Sequence, residues 1–127
     1  MPTANAERLI AFYKRLGFPI NIEEQWRAGK ARTFSIPVGE SKINVHPEGY
    51  TAELRGPTAT PGCGDICFVF AGTVNECKKM LEEAGVSIIS GPVPRSGGRA
   101  RGTIPSPSFY ARDPDGNPRE WMIYQEA

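Results

Sequence analysis

The sequence predicts an α+β fold made of two copies of a βαβββ unit, each a curved mixed sheet with one helix on its outer face and a cavity inside. Two segments that read as helices end in the same way, at Leu16-Gly17-Phe18 and at Ala84-Gly85-Val86, with the two glycines 68 residues apart. A repeat at a fixed offset of this kind indicates an internal duplication. Strand-like segments follow both helices, which favours a repeated sheet-forming unit.

The first unit is predicted to cover residues 1–56. A helix is expected over residues 3–17, because Leu9, Phe12, Tyr13 and Leu16 recur at helical spacing and Gly17 is suited to a helix stop. Strands are expected over residues 18–26, 32–37 and 42–46. Residues 57–63 are rich in Pro, Gly and Thr and are interpreted as a linker.

The same offset predicts an irregular start to the first unit. Asp65 opens the first strand of the second unit, and its counterpart 68 residues earlier would precede Met1. The first strand of the first unit is therefore expected to be missing or reduced to residues 1–3.

The second unit is predicted to cover residues 64–127. A strand is expected over 65–71, then a helix opened by the capping pattern Thr73-x-x-Glu76, then a strand over 86–90. Residues 91–105 contain several glycines and three arginines, so a long loop is expected there. A terminal hairpin follows within 108–125.

The terminal hairpin contains the first candidate for chemistry. Its turn, residues 113–118, is dense in Asp, Pro, Gly and Asn, which are the residues that tight turns favour. Strand alternation then places Glu120 on one face with Met122 and Tyr124, while Trp121 and Ile123 point the other way. A carboxylate in such surroundings is costly unless it is paired or bound to a metal.

Composition excludes several classes of protein. The chain has 15 basic and 14 acidic residues, so nucleic acid is not an expected partner. No apolar run is long enough to span a membrane, and residues near Met1 lack the apolar core of a secretory signal, so a cytoplasmic protein is expected. The three cysteines, an odd number, are interpreted as buried, reduced thiols.

Several segments together resemble the vicinal oxygen chelate superfamily, the group of glyoxalases, bleomycin-resistance proteins and dioxygenases. They are AFYKRLGF, KINVHPEG, GDICFVF, SGPVPRSGG and the DPDGN turn followed by Glu120. Taken together they span nearly the whole chain, and they are most similar to the glyoxalase domain-containing protein 5 branch. The resemblance implies a small-molecule ligand and lyase, isomerase or dioxygenase chemistry.

The resemblance also implies a site for a divalent metal ion, with Glu120 as the catalytic residue and last ligand. Asp65 stands where most of the superfamily has a histidine, and Asn44 aligns with a glutamate of the glyoxalases, a departure that weakens the glyoxalase I interpretation. Because the usual first-strand histidine is absent, the third ligand is expected to be His46, a water or a group from a second subunit. Zn, Fe, Mn, Ni and Mg are not distinguished. The alternatives are a metal-free small-molecule binding or resistance protein and a non-catalytic truncated scaffold.

Substrate contacts are expected from Asn44, Arg95 and Tyr110. Arginines in a glycine-rich loop can hold a carboxylate or phosphate by bidentate hydrogen bonds, although a solvated loop is the favoured interpretation of these arginines. Two half-barrels with exposed strand edges, one of them a strand short, also predict a homodimer.

Overall fold

The computed structural model of the protein describes residues 1–124 and divides them into two compact units. The first unit consists of residues 1–64 together with 114–117, and the second consists of residues 65–113 and 118–124. The turn of the last hairpin thus belongs to the first unit, while both of its strands belong to the second. The α+β class and the mixed strand arrangement expected from the sequence are confirmed.

The first unit contains two helices and a strand pair. The elements are α1 (Ala6–Arg15), α2 (Glu23–Arg27), β1 (Phe34–Val38) and β2 (Ser41–Val45), with β1 and β2 antiparallel. Asn5 caps α1, because its side-chain Oδ1 accepts a hydrogen bond of 3.0 Å from the Arg8 amide. The predicted helix is confirmed, although it begins three residues later than expected.

The prediction of a strand over residues 18–26 is wrong. Asn21 alone pairs there, through a bridge to Ser35, and the chain then forms the short helix α2. Glu23 and Arg27 lie four residues apart and form an ion pair of 2.8 Å along this helix. Such pairs stabilise a helical turn. The strand prediction rested on the alternation of residue types and did not consider this pair.

The first strand of the first unit was expected to be missing or reduced to residues 1–3, and it is reduced to a single bridge. Pro2 pairs in parallel with His46, the Thr3 amide donates to the His46 carbonyl at 3.1 Å, and the His46 amide donates to the Met1 carbonyl at 2.9 Å. The first unit therefore keeps the pairing of a parallel strand beside β2 over residues 1–3.

The second unit is a four-stranded mixed sheet with one long helix. Its elements are β3 (Ile66–Val69), α3 (Val74–Glu83), β4 (Ser90–Ser96), a 3₁₀ turn (Arg99–Gly102), β5 (Pro105–Arg112) and β6 (Pro118–Met122). The strand order is β3-β6-β5-β4, with β3 parallel to β6 and the other pairs antiparallel. Thr73 caps α3 as predicted, since its Oγ1 accepts a 3.1 Å hydrogen bond from the Glu76 amide.

The prediction of a strand over 86–90 followed by a loop over 91–105 is wrong in its boundaries. The strand β4 begins at Ser90 and continues to Ser96, with a register shift between Ser90 and Val93. The glycines and arginines of this segment suggested a loop. It forms an edge strand instead, where Pro92 and Pro94 are tolerated because a missing backbone donor costs little at a sheet edge. Arg95 consequently lies on a strand, and the loop is shorter than expected.

The two faces of β6 differ as the alternation predicted. Trp121 and Ile123 are buried, and the Trp121 ring packs 5.8 Å from the ring of Phe68 on β3. Glu120 is half-buried on the opposite face. The position that the sequence singled out for chemistry thus lies on the face away from this aromatic packing.

Arg119 is the largest fully buried side chain of the described residues. Its guanidinium Nη2 lies 3.5 Å from Oδ2 of Asp113, whose side chain is also fully buried. A buried ion pair therefore joins the start of the hairpin turn to β6. Removal of either partner of such a pair is strongly destabilising.

The three cysteines differ in their exposure. Cys77 is buried as predicted, but Cys63 and Cys67 are exposed, because Cys67 points to the open face of β3 and Cys63 lies in the segment before it. Within residues 1–124, no helix is long and apolar enough to cross a membrane.

Candidate functional site

A row of polar side chains crosses the second sheet on the face of Glu120. Cys67 on β3 is the register partner of Glu120 on β6, and Glu120 is in turn the partner of Tyr110 on β5. Register partners on one face place their side chains within about 5 Å of each other. We call Cys67, Glu120 and Tyr110 the polar row.

The carboxylate of Glu120 is held by a buried hydroxyl. Ser108 lies two residues before Tyr110, so it shares the face of the polar row, and its side chain is fully buried. Its Oγ donates a hydrogen bond of 2.6 Å to Glu120 Oε2. Short hydrogen bonds to an ionised acceptor are among the stronger ones in proteins, so this contact fixes the orientation of the carboxylate.

Tyr110 retains its proton beside Glu120. Partial burial, followed by the charge of Glu120 and a hydrogen bond to it, raises the pKa of the Tyr110 hydroxyl, and the Arg95 guanidinium opposes that shift. The Arg95 guanidinium carbon lies 5.7 Å from the centre of the Tyr110 ring, the geometry of a cation–π contact. Tyr110 is therefore a hydrogen-bond donor at neutral pH.

Cys67 is also a protonated neighbour of Glu120. Partial burial of the thiol raises its pKa to about 12, with further contributions from the charge of Glu120, a hydrogen bond to it and the charge of Asp65. A thiol with such a pKa is a poor nucleophile and a poor metal ligand at neutral pH. Cys67 thus adds a weak donor to the surroundings of Glu120.

Asp65 lies near the same row. It precedes β3 and is exposed, and strand alternation places it on the side of Cys67. Its negative charge contributes to the raised pKa of the Cys67 thiol. Asp65 and Glu120 therefore both act electrostatically on one thiol.

A pocket of about 320 Å³ lies at the Tyr110 end of the row. Arg95, Tyr110 and Arg112 line it, with Ile89, Ser90, Ala111 and Pro118 completing the wall. A phenolic donor between two guanidinium groups suits a ligand that carries an anionic group.

His46 and Asn44 lie in the first unit. Partial burial, the positive charge of the N-terminal ammonium and that of Arg55 lower the pKa of the His46 imidazole, whose ring packs edge-on 6.5 Å from Tyr50. A neutral imidazole is the form that binds metals.

The register of the first unit gives Asn44 the same place as Glu120 in the second. Asn44 pairs with Ser35 beside the buried pair Phe34 and Val45, just as Glu120 pairs with Tyr110 beside the buried pair Phe109 and Trp121. The side chain of Asn44 is exposed. An amide thus occupies in one unit the position that a carboxylate occupies in the other.

The residues do not form a complete metal-binding set within the described part of the chain. Over residues 1–124, no three His, Cys, Asp or Glu side chains gather as a group that could hold a metal ion. Of the three residues expected as ligands, His46 belongs to the first unit, and Asp65 and Glu120 belong to the second. Glu120 fits the role of a single carboxylate ligand, and its present neighbours are hydrogen-bond donors.

Three contributors to this site were not found from the sequence. Ser108 could have been found by counting back two positions from Tyr110 on the same strand. Cys67 could not, because its place beside Glu120 depends on the parallel pairing of β3 with β6, strands that lie about fifty residues apart in the sequence. Arg112 was likewise not singled out.

Comparison with known proteins identifies relatives along most of the chain. Glyoxalase domain-containing protein RDO1 from Mycosarcoma maydis is 37% identical over 121 residues, which cover 95% of this chain and 63% of that protein. Virulence protein STM3117 from Salmonella typhimurium is 40% identical over 109 residues, covering 85% of this chain and 69% of that protein. The chain thus spans less than two thirds of the length of the first of these relatives.

Solved structures show the same fold. The crystal structure of STM3117 superposes with a TM-score of 0.83 at 31% identity, covering 98% of this chain and 92% of that chain. The integron cassette protein VCH_CASS1 of V. cholerae superposes with a TM-score of 0.82 at 31% identity, covering 98% and 91%. The bleomycin resistance determinant encoded on transposon Tn5, at 20% identity and a TM-score of 0.61 over 99% of this chain and 94% of that chain, shares the fold.

A family model for the Glyoxalase/Bleomycin resistance protein/Dioxygenase superfamily matches residues 1–120. Together with the curated relatives, this match covers nearly every element that was described above. The chain belongs to the glyoxalase/bleomycin resistance protein/dioxygenase superfamily.

Proposed function

We propose that this chain binds a small oxygen-rich molecule on the polar row of the second sheet, with Glu120 as the central hydrogen-bond acceptor. The observation that carries the proposal is the 2.6 Å hydrogen bond from Ser108 Oγ to Glu120 Oε2. It orients a carboxylate on a sheet face before any ligand arrives, and such preorganisation lowers the cost of binding. The ligand is expected to donate a hydroxyl to Glu120.

The neighbours of Glu120 specify the rest of the ligand. Arg95 and Arg112 line the adjoining pocket with the phenol of Tyr110. Guanidinium groups pair with carboxylates through two parallel hydrogen bonds. A molecule with a hydroxyl next to a carboxylate, such as a 2-hydroxy acid, therefore matches the row from Glu120 to Arg95.

The same geometry suits proton transfer. If the chain is an enzyme of the lyase or isomerase type, we propose Glu120 as the general base, because its carboxylate is oriented by Ser108 and is only half-buried. Tyr110 retains its proton and is placed to donate to a developing negative charge on the ligand.

Lactate is a suitable probe, with propionate as the matched compound that lacks the hydroxyl. We expect saturable amide shifts in NMR spectra at Glu120 and Tyr110, and affinity for lactate at least fivefold above that for propionate. Glu120→Gln should remove this preference. Glu83→Gln, an exposed surface change on α3, is the control and should preserve it. Equal affinities for the two acids in the unaltered protein would refute the hydroxyl contact.

A second candidate is a divalent metal site at Glu120 and Asp65, which both belong to the second unit. The observation that favours it is the shared effect of Asp65 and Glu120 on the thiol of Cys67, which indicates two carboxylates close together on one side of the second unit. When bound, such an ion would supply Lewis-acid stabilisation of negative charge on a ligand.

The metal candidate is tested by equilibrium dialysis against Mn²⁺, Ni²⁺ and Zn²⁺ with elemental analysis. One ion per chain is expected, with loss of binding in Glu120→Gln and in Asp65→Asn. His46→Ala is the control and should retain the ion, because His46 belongs to the first unit. Retention of the ion by both carboxylate variants would exclude this pair of ligands.

The homodimer predicted from the sequence is part of this proposal. β3 is an edge strand of the four-stranded sheet, and it lacks the prolines that protect the other edge, β4. A second copy of the chain is the partner that we propose for the exposed edges. Light scattering at micromolar concentration should give twice the mass of the chain, and a stable monomer would refute the dimer.

A further inference from the structure

We propose that an open pocket at one end of the second sheet, separate from the polar row, binds small carboxylates that carry an apolar body. Residues 69–73, Arg99 and Tyr124 line this pocket, which has a volume of about 580 Å³. This is within the usual size of small-molecule pockets. We call it the Arg99 pocket. It shares no lining residue with the pocket formed by Arg95, Tyr110 and Arg112.

Arg99 is held in place by Tyr124. The Arg99 amide donates a hydrogen bond of 3.2 Å to the Tyr124 hydroxyl, and the guanidinium carbon lies 4.4 Å from the centre of the Tyr124 ring. The short distance to the ring centre is that of a close cation–π contact. The guanidinium therefore has a defined position at the wall of the pocket, and its edge remains available for hydrogen bonds.

The charge of Arg99 is not matched by a protein carboxylate in the described structure. Among residues 1–124, no acidic side chain forms an ion pair with Arg99, whereas Arg27 and Arg119 both have such partners. An exposed guanidinium that lines a cavity and lacks an acidic partner is suited to bind an anion. Its planar geometry favours a carboxylate bound through both oxygens.

Part of the pocket wall is apolar. Val69 is a large hydrophobic residue that is 52% exposed at the end of β3, and Phe70 follows it. A Cβ atom on Gly72 would lie 2.7 Å from a ring carbon of Phe70, so the glycine leaves room for that ring at the pocket. An aliphatic or aromatic body on the ligand would cover Val69 and remove its apolar surface from water.

The loop that carries Arg99 has an unusual backbone. Ala100 and Arg101 both have left-handed conformations, with φ of +50° and +53°, which non-glycine residues rarely adopt. Such conformations concentrate where surrounding contacts over-determine the backbone, as in ligand clamps. Gly97 allows the loop to pass closely over the sheet, because a Cβ atom there would collide with the Tyr124 hydroxyl and Met122 Sδ.

The pocket therefore combines a cation in a defined position with an apolar part of its wall. The loop path over Tyr124 sets where the guanidinium of Arg99 lies, and Val69 with Phe70 sets where an apolar group lies. Benzoate combines the two features in one small molecule, so it is the probe of choice. Benzamide has the same body without the charge, and acetate has the charge without the body.

The test is a titration of ¹⁵N-labelled protein followed by NMR. We expect benzoate to produce saturable shifts at Thr73, Arg99 and Tyr124, with at least fivefold higher affinity than benzamide and than acetate. Arg99→Gln should weaken benzoate binding at least tenfold. Arg101→Gln is the matched control, because Arg101 is an exposed arginine of the same loop that does not line the pocket, and it should change the affinity less than twofold.

A second variant addresses the apolar wall. Val69→Glu places a carboxylate at an exposed strand position, where a charged side chain is compatible with folding. The new charge should repel benzoate, so this variant should weaken benzoate binding at least tenfold, as Arg99→Gln does. The proposal is overturned if benzoate gives no saturable shifts, if its shifts cluster around Tyr110 and Glu120, or if Arg99→Gln and Arg101→Gln weaken binding equally. Unchanged binding in Val69→Glu would also overturn it.

Discussion

Ser108 Oγ donates to Glu120 Oε2 at 2.6 Å, and the serine side chain is fully buried while Glu120 is half-buried on the same face of the sheet. The pair connects the buried part of the second unit to the side chain on which the proposed function depends. A ligand at Glu120 therefore meets a carboxylate whose orientation is set by the fold.

The first prediction concerns this hydrogen bond. Ser108→Ala should lower the free energy of unfolding by about 2 kcal/mol, because a hydrogen bond to a charged acceptor is lost from a buried position. Ser106→Ala is the matched control on the same strand and face, and Ser106 is also buried. That change should cost about 1 kcal/mol or less. Urea unfolding measures both, and equal losses would show that the contact with Glu120 contributes little.

The second prediction concerns the three thiols. At pH 8, iodoacetamide should label Cys63, which is exposed, while Cys77 is protected by burial. Cys67 is exposed as well, but a thiol pKa of about 12 leaves it with a thiolate fraction about a thousandfold below that of an ordinary cysteine. Peptide mass spectrometry should therefore show slow labelling of Cys67.

Glu120→Gln provides the control for that prediction, since it removes the negative charge beside the thiol. Labelling of Cys67 should accelerate in this variant, while labelling of Cys63 should not change. If Cys67 reacts as fast as Cys63 in the unaltered protein, the partial burial of Cys67 beside Glu120 is not present in solution.

The third prediction concerns His46, the single histidine of the chain. Its pKa should lie below the ordinary value of about 6.5, because partial burial and two nearby positive charges disfavour the imidazolium. The unfolded chain then binds this proton at a higher pH than the folded chain does. The contribution of His46 to stability is therefore full above about pH 6.5 and is lost as the pH falls through the lower, folded pKa.

An NMR titration of the imidazole measures this pKa without ambiguity, because no other histidine is present. Arg55→Gln should raise the pKa, since it removes one of the positive charges. A pKa at or above the ordinary value, or no response to Arg55→Gln, would contradict the environment described for His46.

The fourth prediction concerns the close approach of β4 to β5. Gly91 has a φ of +121°, and a Cβ atom there would collide with the carbonyl oxygen of Ser108 and lie 2.9 Å from Phe109 Cα. Both contacts are with backbone atoms, which have little freedom to move. Gly91→Ala should therefore destabilise the protein by about 2 kcal/mol or more.

Gly98→Ala is the matched control for Gly91→Ala. A Cβ atom on Gly98 would meet nothing within 4 Å, and its φ of −79° suits any residue. That variant should unfold within about 0.5 kcal/mol of the unaltered protein in urea. Similar stability of the two variants would show that the strands separate easily at Gly91.

The elements that the sequence predicted correctly are those whose signals are local. Asn5 and Thr73 begin helices because their side chains accept backbone hydrogen bonds three residues ahead. The last hairpin follows from the turn residues between Asp113 and Pro118, which restrict the backbone by themselves. The separation of Glu120 from Trp121 followed from strand alternation alone.

The errors arose where a second strand or a short-range pair decides the structure. The alternation over residues 18–26 predicted a strand, but part of this segment forms α2, along which Glu23 and Arg27 form an ion pair. The boundaries of β4 depend on its position at the sheet edge, which a single segment does not reveal. For that reason Arg95 was predicted on a loop, whereas it lies on a strand.

The sequence by itself determined the α+β class, the duplicated unit and the strand face on which Glu120 lies, because periodicity, caps and turn residues act over a few positions. The tertiary structure alone decided that Cys67 lies beside Glu120, that Arg99 stacks on Tyr124 and that Arg119 is buried against Asp113. The contacts of Cys67 with Glu120 and of Arg99 with Tyr124 join residues that lie more than twenty positions apart. The pair of Arg119 and Asp113 is buried only when the hairpin has formed. Local patterns carry no information on such pairings, since strand register and burial are set by the packing of the whole unit.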